Sequence, residues 1–216
     1  MAKSKFITFE GSEGCGKTTQ IQLLTDWLVQ RGASVLCCRE PGGTPLGEAV
    51  RHLLKHDPAG EGMAAETELL LFAASRAELV RKVIFPALQK GAWIICDRFH
   101  DSTSVYQGIA RGLNAQAVNA INAFAINGAR PSLTLVLDLD ASEARNRMLR
   151  RPRPVGESDR MENEPIGFYE KVTEGYRVLA RNEPERVKLI PASGSRDEVF
   201  QKIIKELKDA FPGGLD

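Results

Sequence analysis

The amino-acid sequence predicts an α/β fold in three layers, in which a parallel sheet of five strands is covered by helices on both faces. Two observations lead to this prediction. Short, almost fully apolar runs alternate regularly with segments of helical periodicity, and a glycine-rich loop follows the first apolar run directly. Strands that are apolar on both faces are typical of a buried parallel sheet. Because ligands bind such sheets at the carboxyl ends of the strands, we expect the functional residues there.

The strands are predicted from these short runs, which are rich in apolar and β-branched residues. The runs lie at residues 5–10, 34–38, 92–96, 133–137 and 187–190. Each is too short to be a typical globular helix, so a strand is the better interpretation.

The helices are predicted from apolar residues that recur every three or four positions. Helical segments are expected at residues 17–30, 44–55, 64–89, 102–110, 114–127, 142–149, 165–182 and 196–210. The third of these should bend or be interrupted near Pro86, because proline lacks the N–H that a helix interior needs. The Arg- and Pro-rich stretch at residues 150–164 has no apolar periodicity, so we predict a loop or lid there.

Length, charge and cysteine content limit the possible classes of protein. A chain of 216 residues is predicted to form a single domain over residues 1–216. Its formal net charge of +1 argues against a main task in binding nucleic acid or an anionic membrane. No apolar run reaches the ~20 residues that span a bilayer, and no signal-peptide pattern is seen. The four cysteines lack C-x-x-C spacing, so we expect reduced thiols in a cytoplasmic protein.

The glycine-rich loop carries the first chemical motif. Residues 11–18 read Gly-Ser-Glu-Gly-Cys-Gly-Lys-Thr and match G-x-x-x-x-G-K-[ST]. The glycines let backbone N–H groups converge on a β-phosphate at a helix N-terminus. Lys17 is then expected to bridge the β- and γ-phosphates, and the hydroxyl of Thr18 to bind Mg²⁺. A random chain of this length would contain the pattern roughly once in a hundred, so we predict a nucleotide polyphosphate site.

A carboxylate that supports the same Mg²⁺ is expected at the end of a strand. Asp97 follows the run at residues 92–96, and Asp138 follows the run at residues 133–137. We favour Asp97, because Arg98 beside it adds a positive charge for phosphate. Asp138 remains the alternative.

The distribution of arginines favours a kinase. P-loops also occur in GTPase switches and mechanical ATPases, but the Asn-Lys-x-Asp segment of guanine switches is missing from the sequence. Arg39, Arg76 and Arg98 lie near the predicted ends of elements, and six more arginines lie between positions 145 and 160. Phosphoryl transfer depends on positioning and on charge neutralisation, which arginines supply. We therefore predict a small-molecule kinase, with a P-loop switch or ATPase as the alternative.

Several motifs beyond the P-loop then follow in a fixed order. They are Phe9-Glu-Gly-Ser-Glu-Gly-Cys-Gly-Lys-Thr-Thr, Arg39-Glu-Pro-Gly-Gly-Thr, Leu71-Phe-Ala-Ala-Ser-Arg, Asp97-Arg-Phe and Ser102-Thr-Ser-Val-Tyr-Gln-Gly. With them the chain resembles the thymidylate kinases along essentially its whole length. The resemblance implies a P-loop kinase fold with sheet order 2-3-1-4-5 and a short lid at about residues 148–164. It also implies Mg²⁺-dependent transfer of the γ-phosphoryl group of ATP to dTMP, giving dTDP. Another nucleoside monophosphate kinase or a deoxynucleoside kinase is the alternative within this class.

The same resemblance implies which residues bind the phosphate and sugar of dTMP. Arg39 and Arg98 would hold the acceptor phosphate, which suits paired guanidinium groups. Tyr106 would lie under the deoxyribose, where it would crowd a ribose 2′-hydroxyl. Glu13, inside the P-loop, would contact the 3′-hydroxyl.

Four further residues would recognise the base. By the family pattern, Phe72 would stack on thymine, Arg76 would hydrogen-bond the base, and Thr103 and Gln107 would read its edge. An aromatic face combined with polar donors suits a pyrimidine. Without the resemblance, Phe72 on an apolar helix would equally fit a core residue.

The ATP site is implied to consist of the P-loop, the threonine after it and one arginine before the lid. These residues are Gly11, Ser12, Glu13, Gly14, Cys15, Gly16, Lys17, Thr18, Thr19 and Arg147. We expect Arg147 to pack on adenine, beside the loop at residues 192–194.

The P-loop also departs from part of the family. Some members carry an arginine where this chain has Gly14 and Cys15. The lid is basic instead, which resembles the bacterial branch, in which a lid arginine approaches the phosphates. We favour Arg151 and Arg153 over Arg150 for this role, so the predicted catalytic set is Lys17, Arg98, Arg151 and Arg153.

Family members are usually homodimers formed through helices, so a homodimer is expected. The helix at residues 64–79 could supply the contact face, although periodicity alone does not separate core from interface. ATP and dTMP are the expected partners, with neither nucleic acid nor membrane among them.

Overall fold

The computed structural model describes residues 4–150 and 159–213. Their strands form one parallel sheet in the order β2-β3-β1-β4-β5, which confirms the predicted order. In chain order the strands are Phe6–Glu10 (β1), Val35–Arg39 (β2), Trp93–Asp97 (β3), Leu133–Asp138 (β4) and Val187–Pro191 (β5). Each lies within one residue of its predicted bounds.

Helices connect these strands and cover the sheet. In chain order they are Lys17–Val29 (α1), Pro45–Lys55 (α2), Ala65–Leu79 (α3), Phe85–Gln89 (α4), His100–Thr103 (α5), Ala115–Ile126 (α6), Ala141–Leu149 (α7), Ile166–Asn182 (α8) and Arg196–Ala210 (α9). Short 3₁₀ turns lie at Pro58–Gly60 and Arg160–Asn163. In the part of the chain that the structure describes, no helix combines the length and apolarity needed to cross a membrane.

The sheet is buried on both faces because successive side chains of its strands alternate between two apolar clusters. Ile7 packs with α1 and α9, where Leu24 and Leu207 are fully buried. Phe6 faces the opposite side and packs with Leu79 and with Phe99, whose ring centroid lies 5.0 Å away. This alternation explains why the strands read as almost continuous apolar runs in the sequence.

Two helical regions differ from simple α-helices. The predicted helix at residues 64–89 is interrupted by a π-helical turn, Val80–Ile84, which ends just before Pro86 in α4. Proline cannot donate to the carbonyl four residues earlier, and the wider turn accommodates its ring. The predicted helix at residues 102–110 begins earlier, as α5, and continues as the π-helical turn Ser104–Ala110. π-Helical turns are frequent at functional sites, and this one carries Tyr106 and Gln107.

Parallel register brings the carboxyl ends of three strands together. Phe9 in β1 and Arg39 in β2 both pair with Asp97, the last residue of β3. The loop after β1 and the residue after β3 therefore meet above the middle of the sheet. Of the predicted lid at residues 148–164, the start in α7 and the turn Arg160–Asn163 are described.

Candidate active site

A cavity of about 400 Å³ lies at the carboxyl ends of the strands. Many of the predicted residues line it: Glu13, Gly14, Gly16, Lys17, Thr18, Thr19, Arg39, Phe72, Asp97, Arg98, Thr103, Tyr106, Gln107 and Arg147. Four others do not, namely Gly11, Ser12, Cys15 and Arg76. The predicted catalytic arginines Arg151 and Arg153 lie outside the described residues, so their roles remain predictions.

The sequence-based prediction missed several residues of the cavity wall, including Glu40, Arg51, Lys55, Ser102 and Asp159. Arg51 and Lys55 lie four residues apart on α2, on one face of that helix. The four-residue spacing of Arg51 and Lys55 could have indicated a shared basic face. However, two charges on one face of a helix are also typical of a solvated surface.

The P-loop owes its shape to glycines. Gly16, the residue before α1, has φ 100°, a conformation that side-chain-bearing residues rarely adopt. Gly14 has φ 79°, and a Cβ atom on it would collide with the carbonyl oxygen of Ala144 in α7. The loop therefore curls under α7 and presents the amino end of α1 to the cavity, where its backbone N–H groups attract anions.

The ammonium group of Lys17 reaches back across this loop. It donates to the carbonyl oxygens of Ser12 at 2.9 Å and Gly11 at 3.2 Å, and the residue is 8% exposed. Both partners are neutral, so the positive charge of Lys17 is not cancelled by them. A phosphate in the cavity would meet that charge directly.

Glu13 of the P-loop forms a hydrogen-bonded cluster with Arg98 and Tyr106 in the wall of the same cavity. A guanidinium nitrogen of Arg98 (Nη2) lies 2.8 Å from Oε1 of Glu13, and the hydroxyl of Tyr106 donates to Oε2 at 2.8 Å. Burial alone would raise the pKa of Glu13, but the charges of Arg98 and Lys17 outweigh it and lower that pKa to about 2. Glu13 is therefore a carboxylate that can accept a hydrogen bond from a ligand.

The backbone also fixes Arg98. Its φ of 68° is uncommon for a residue with a side chain, and its N–H donates to the carbonyl of Phe9 at 2.9 Å. This strained turn directly after β3 aims the side chain back over the P-loop. Strain of this kind persists where surrounding contacts impose it and is concentrated at functional sites.

Behind Arg98 lies the fully buried carboxyl group of Glu10. It accepts from the N–H of Phe99 at 2.8 Å, from the hydroxyl of Ser102 at 2.5 Å and from that of Tyr176 at 2.7 Å. The two hydroxyls also receive hydrogen bonds from Arg98, at 3.2 and 3.3 Å. Burial, followed by the nearby negative charge of Asp101, raises the pKa of Glu10 to about 7.

This raised pKa predicts a pH-dependent stability difference between the wild type and the variant Glu10→Gln. From pH 4.5 to 7 folded Glu10 holds a proton that the unfolded chain releases, so its contribution to stability is full below pH 4.5 and is lost as the pH rises through 7. Glutamine does not titrate. The free energy of unfolding of the wild type, relative to Glu10→Gln, should therefore fall from pH 5 to pH 8 in urea denaturation experiments.

Two other groups titrate in the same range and are present in both proteins. Burial lowers the pKa of His100 to about 4 and raises that of Glu40 to about 7, to which the charge of Glu10 also contributes. The repulsion between ionised Glu10 and Glu40 is absent from Glu10→Gln, so it adds to the expected fall in the same direction. A stability difference that is the same at pH 5 and pH 8 would contradict a protonated Glu10 in the folded state.

Arg39 lies at the rim of the cavity. Its side chain is 52% exposed and pairs with Glu48 at 2.9 Å. Exposed ion pairs contribute only about 0–1 kcal/mol. Arg39 can therefore exchange Glu48 for a phosphate at little cost.

Arg76 lies behind the cavity wall rather than in it. The residue is 1% exposed, and its guanidinium donates to Glu40, Asn122 and Thr103, each at 2.8 Å. Two of these partners, Glu40 and Thr103, line the cavity. Arg76 thus holds the wall in place, and its predicted hydrogen bond to a base stays a prediction.

The part of the cavity wall contributed by α3 and the π-helical turn has apolar and amide groups. Phe72 in α3 is half-buried and lines the cavity, as does Gln107 from the π-helical turn. Gln107 donates from Nε2 to the buried carboxylate of Glu68 at 2.8 Å. The wall formed by Phe72 and Gln107 can accept a flat ring with hydrogen-bonding edges.

Residues before and after the undescribed stretch also lie at the cavity. Arg147 pairs with Glu143 at 2.5 Å and donates to the carbonyl of Ala192 at 3.3 Å. It therefore borders the loop after β5, as predicted for an adenine contact. On the other side, Asp159 pairs with Lys55 of α2 at 2.5 Å.

The oxygen ligands that Mg²⁺ requires are present. Thr18 and Asp97 line the same cavity, which suits an ion that takes few protein ligands and completes its shell with phosphate and water. Asp138, the alternative to Asp97, does not line it and is held by Arg177, with 3.1 Å between Nη2 and Oδ1. This geometry supports the choice of Asp97. Residues 4–150 and 159–213 contain no group of three or more His, Cys, Asp and Glu side chains that could hold a metal by themselves.

A P-loop after β1, a 2-3-1-4-5 sheet and a cavity at the P-loop that is also lined by Arg39 and Arg98 are together typical of P-loop phosphotransferases. Comparisons with known proteins are more specific. The model of the family described as thymidylate kinase matches residues 9–203. A thymidylate kinase of Desulfosudis oleivorans is 46% identical over 206 residues, which cover 94% of this chain and 96% of that protein.

A further relative and a solved structure point to the same family. A thymidylate kinase of Symbiobacterium thermophilum is 46% identical over 209 residues, 97% of this chain and 95% of that protein. The crystal structure of thymidylate kinase from Ehrlichia chaffeensis superimposes with a TM-score of 0.75 at 35% identity, covering 94% of this chain and 97% of that one. The chain belongs to the thymidylate kinase family, and the predicted family and fold are confirmed.

Proposed function

We propose that the cavity is the place where ATP and dTMP meet. The chain phosphorylates dTMP to dTDP, the reaction of the family to which it belongs. The observation that carries the assignment to this cavity is that two different groups of residues line it. Lys17 and Arg98 line it beside the P-loop, where Arg98 pairs with Glu13. Phe72 and Gln107 also line it, and Gln107 binds Glu68, one turn before Phe72 on α3.

The arrangement of these residues favours one orientation of the acceptor nucleotide. Its phosphate lies near Arg98 and Arg39, so that it faces the P-loop, and its base lies against Phe72. The sugar then lies between them, where the carboxylate of Glu13 accepts a hydrogen bond from the 3′-hydroxyl. Tyr106 donates to the other oxygen of Glu13 and so holds that carboxylate in place.

ATP binds with its phosphates on the P-loop. The backbone N–H groups at the start of α1 and the ammonium of Lys17 hold the β- and γ-phosphates. Thr18 and Asp97 are the residues that would hold Mg²⁺, which supplies charge neutralisation at the phosphate oxygens when bound. Arg147 borders the adenine.

The residues act by positioning and by charge stabilisation. A nucleoside monophosphate is largely a dianion at pH 7, because its second pKa is about 6, so it attacks without a protein base. Lys17 and Arg98 bring the acceptor oxygen and the γ-phosphorus together and stabilise the charge that shifts toward ADP. Arg151 and Arg153 are proposed to add positive charge from the lid.

The acceptor specificity tests this proposal directly. ADP formation should depend on an added acceptor, and dTMP should support much faster turnover than dCMP, dUMP or thymidine. A coupled ADP assay over this panel measures it. Equal turnover with dCMP would indicate another nucleoside monophosphate kinase, faster turnover with thymidine a nucleoside kinase, and acceptor-independent turnover an ATPase.

We further propose a homodimer formed through α2, α3 and α6. These neighbouring helices expose the large apolar side chains Leu46, Leu70 and Phe124, the last of them 82% exposed. Exposed apolar groups on adjacent helices favour a protein–protein contact. A solution mass of one chain at micromolar concentration would exclude this dimer.

A further inference from the structure

We propose that Glu68 is a positioning residue for base recognition. It fixes the side-chain amide of Gln107 so that the carbonyl oxygen of Gln107 is offered to the acceptor base, which favours a base with a hydrogen on N3 over cytosine. This inference rests on the proposed placement of the base beside Gln107.

Glu68 is a buried carboxylate in the first turn of α3, and it is surrounded by donors. The residue is 1% exposed. Its Oε1 accepts from Nε2 of Gln107 at 2.8 Å and from Nε of Arg111 at 3.2 Å. Its Oε2 accepts from Nη2 of Arg160 at 2.6 Å and of Arg111 at 3.3 Å. Glu68 therefore receives an amide and two guanidinium groups at once.

The charge of Glu68 is fixed by these neighbours. Burial raises its pKa, but the hydrogen bond from Gln107 and the interactions with Arg111 and Arg160 outweigh burial, so the pKa lies below its ordinary value. The two guanidinium groups favour the ionised carboxylate whichever way the amide of Gln107 is turned. An ionised carboxylate has no hydrogen to donate and can only accept. The group of Gln107 that faces Glu68 must therefore be the NH₂, and chemistry alone determines the orientation of the amide.

The orientation of Gln107 determines what remains for a ligand. Gln107 is 2% exposed and lines the cavity. Because its NH₂ group donates to Glu68, its carbonyl oxygen is the group that Gln107 can offer to a ligand, and that oxygen is an acceptor. Thymine carries N3–H, which can donate to such an oxygen, whereas N3 of cytosine carries a lone pair that repels it. A mismatched buried polar group weakens binding by about tenfold or more, so the orientation of the amide can discriminate between thymine and cytosine.

The two arginines have other anchors, so a change at Glu68 does not free them. Arg111 also pairs with Glu164 at 2.6 Å and lies 4.7 Å from the ring of Phe168. Arg160 also donates to the carbonyl of Leu54 at 3.1 Å. A neutral residue of the same size at position 68 should therefore leave the surrounding fold in place.

The test is the ratio of kcat/KM for dTMP to kcat/KM for dCMP in the variant Glu68→Gln. Glutamine can donate as well as accept, so the amide of Gln107 can turn its NH₂ toward the base. We expect the ratio to fall tenfold or more, with the KM for ATP unchanged. The matched control is Glu66→Gln, an exposed residue in the same turn of α3, which should leave the ratio as in the wild type. If Glu68→Gln does not fold, Glu68→Met, which also releases the amide, should show the same fall.

A second variant shows whether Glu68 acts through Gln107. Gln107→Leu should lower the ratio, and adding Glu68→Gln to it should lower the ratio no further. If Gln107→Leu lowers the ratio but Glu68→Gln lowers both activities equally, the base placement stands and this inference is wrong. If Glu68→Gln lowers the ratio by the same factor in the wild type and in Gln107→Leu, this inference is also wrong. If Gln107→Leu leaves the ratio unchanged, the base does not lie beside Gln107, and both proposals fail.

Discussion

Lys17→Ala should lower kcat for dTMP phosphorylation by about 10²–10³ or more, with a smaller effect on the KM for dTMP. Removing one neutral hydrogen-bond donor from a developing charge costs about this much, and Lys17 contributes a full charge. The hydrogen-bond partners described for its ammonium group are the neutral carbonyl oxygens of Gly11 and Ser12 and the thiol of Cys15, so the charge is not held in a direct ion pair. Steady-state kinetics with a coupled ADP assay measure the effect.

A lysine-to-alanine substitution outside the cavity is the control for Lys17→Ala. Lys208→Ala removes an exposed lysine from the last turn of α9, far along the chain from the P-loop, and should leave kcat unchanged. Near-normal turnover of Lys17→Ala would show that Lys17 is not needed for phosphoryl transfer.

The second large effect is expected at Arg98. Arg98→Ala removes the guanidinium proposed to hold the acceptor phosphate and leaves the carboxylate of Glu13 without its ion-pair partner. Truncating one partner of a buried ion pair costs about 2–5 kcal/mol, and the uncompensated charge of Glu13 would also repel phosphate. We expect kcat/KM for dTMP to fall by 10² or more, while the affinity for ATP, measured by calorimetry, changes much less.

Two further variants sharpen the Arg98 prediction. Arg98→Lys keeps the charge but loses the planar fork, so it should recover part of the loss. Arg196→Ala, at the exposed start of α9, should behave like the wild type. A loss of ATP affinity in Arg98→Ala that matches the loss for dTMP would place Arg98 on the nucleotide donor instead of the acceptor.

Much of the fold follows from local patterns in the sequence. The strands are predictable because both faces of the sheet are buried, so that residues 92–96 and 133–137 are almost uninterrupted apolar runs. The P-loop is predictable because its glycines have fixed spacing and fixed backbone demands. Asp97 was predictable as a strand end and was favoured over Asp138 because Arg98 lies beside it. The ion pair between Asp138 and Arg177 supports that choice.

What the sequence could not predict depends on contacts between distant segments. Tyr106 and Gln107 lie on a π-helical turn, whereas the apolar periodicity at residues 102–110 indicates an ordinary helix. Arg76 lies in the last turn of α3 and could have pointed into the cavity. It is turned aside by Glu40 and Asn122, which are 36 and 46 positions away in the chain.

Glu68 illustrates the same limit at the candidate site. An acidic residue in the first turn of a helix is typical of an ordinary solvated end. Its importance arises from Gln107, Arg111 and Arg160, which are brought to it from other segments by the packing of α3. From the sequence alone, Glu68 therefore could not be distinguished from Glu66, which is exposed.

A crystal structure with dTMP and a non-hydrolysable ATP analogue would show whether one cavity places dTMP between the P-loop and Phe72. We expect the thymine ring against Phe72 with its N3 edge at Gln107, and the phosphate of dTMP at Arg98 facing the γ-phosphate over Lys17. A dTMP phosphate seated in the P-loop itself, or a base bound away from Phe72 and Gln107, would contradict this placement.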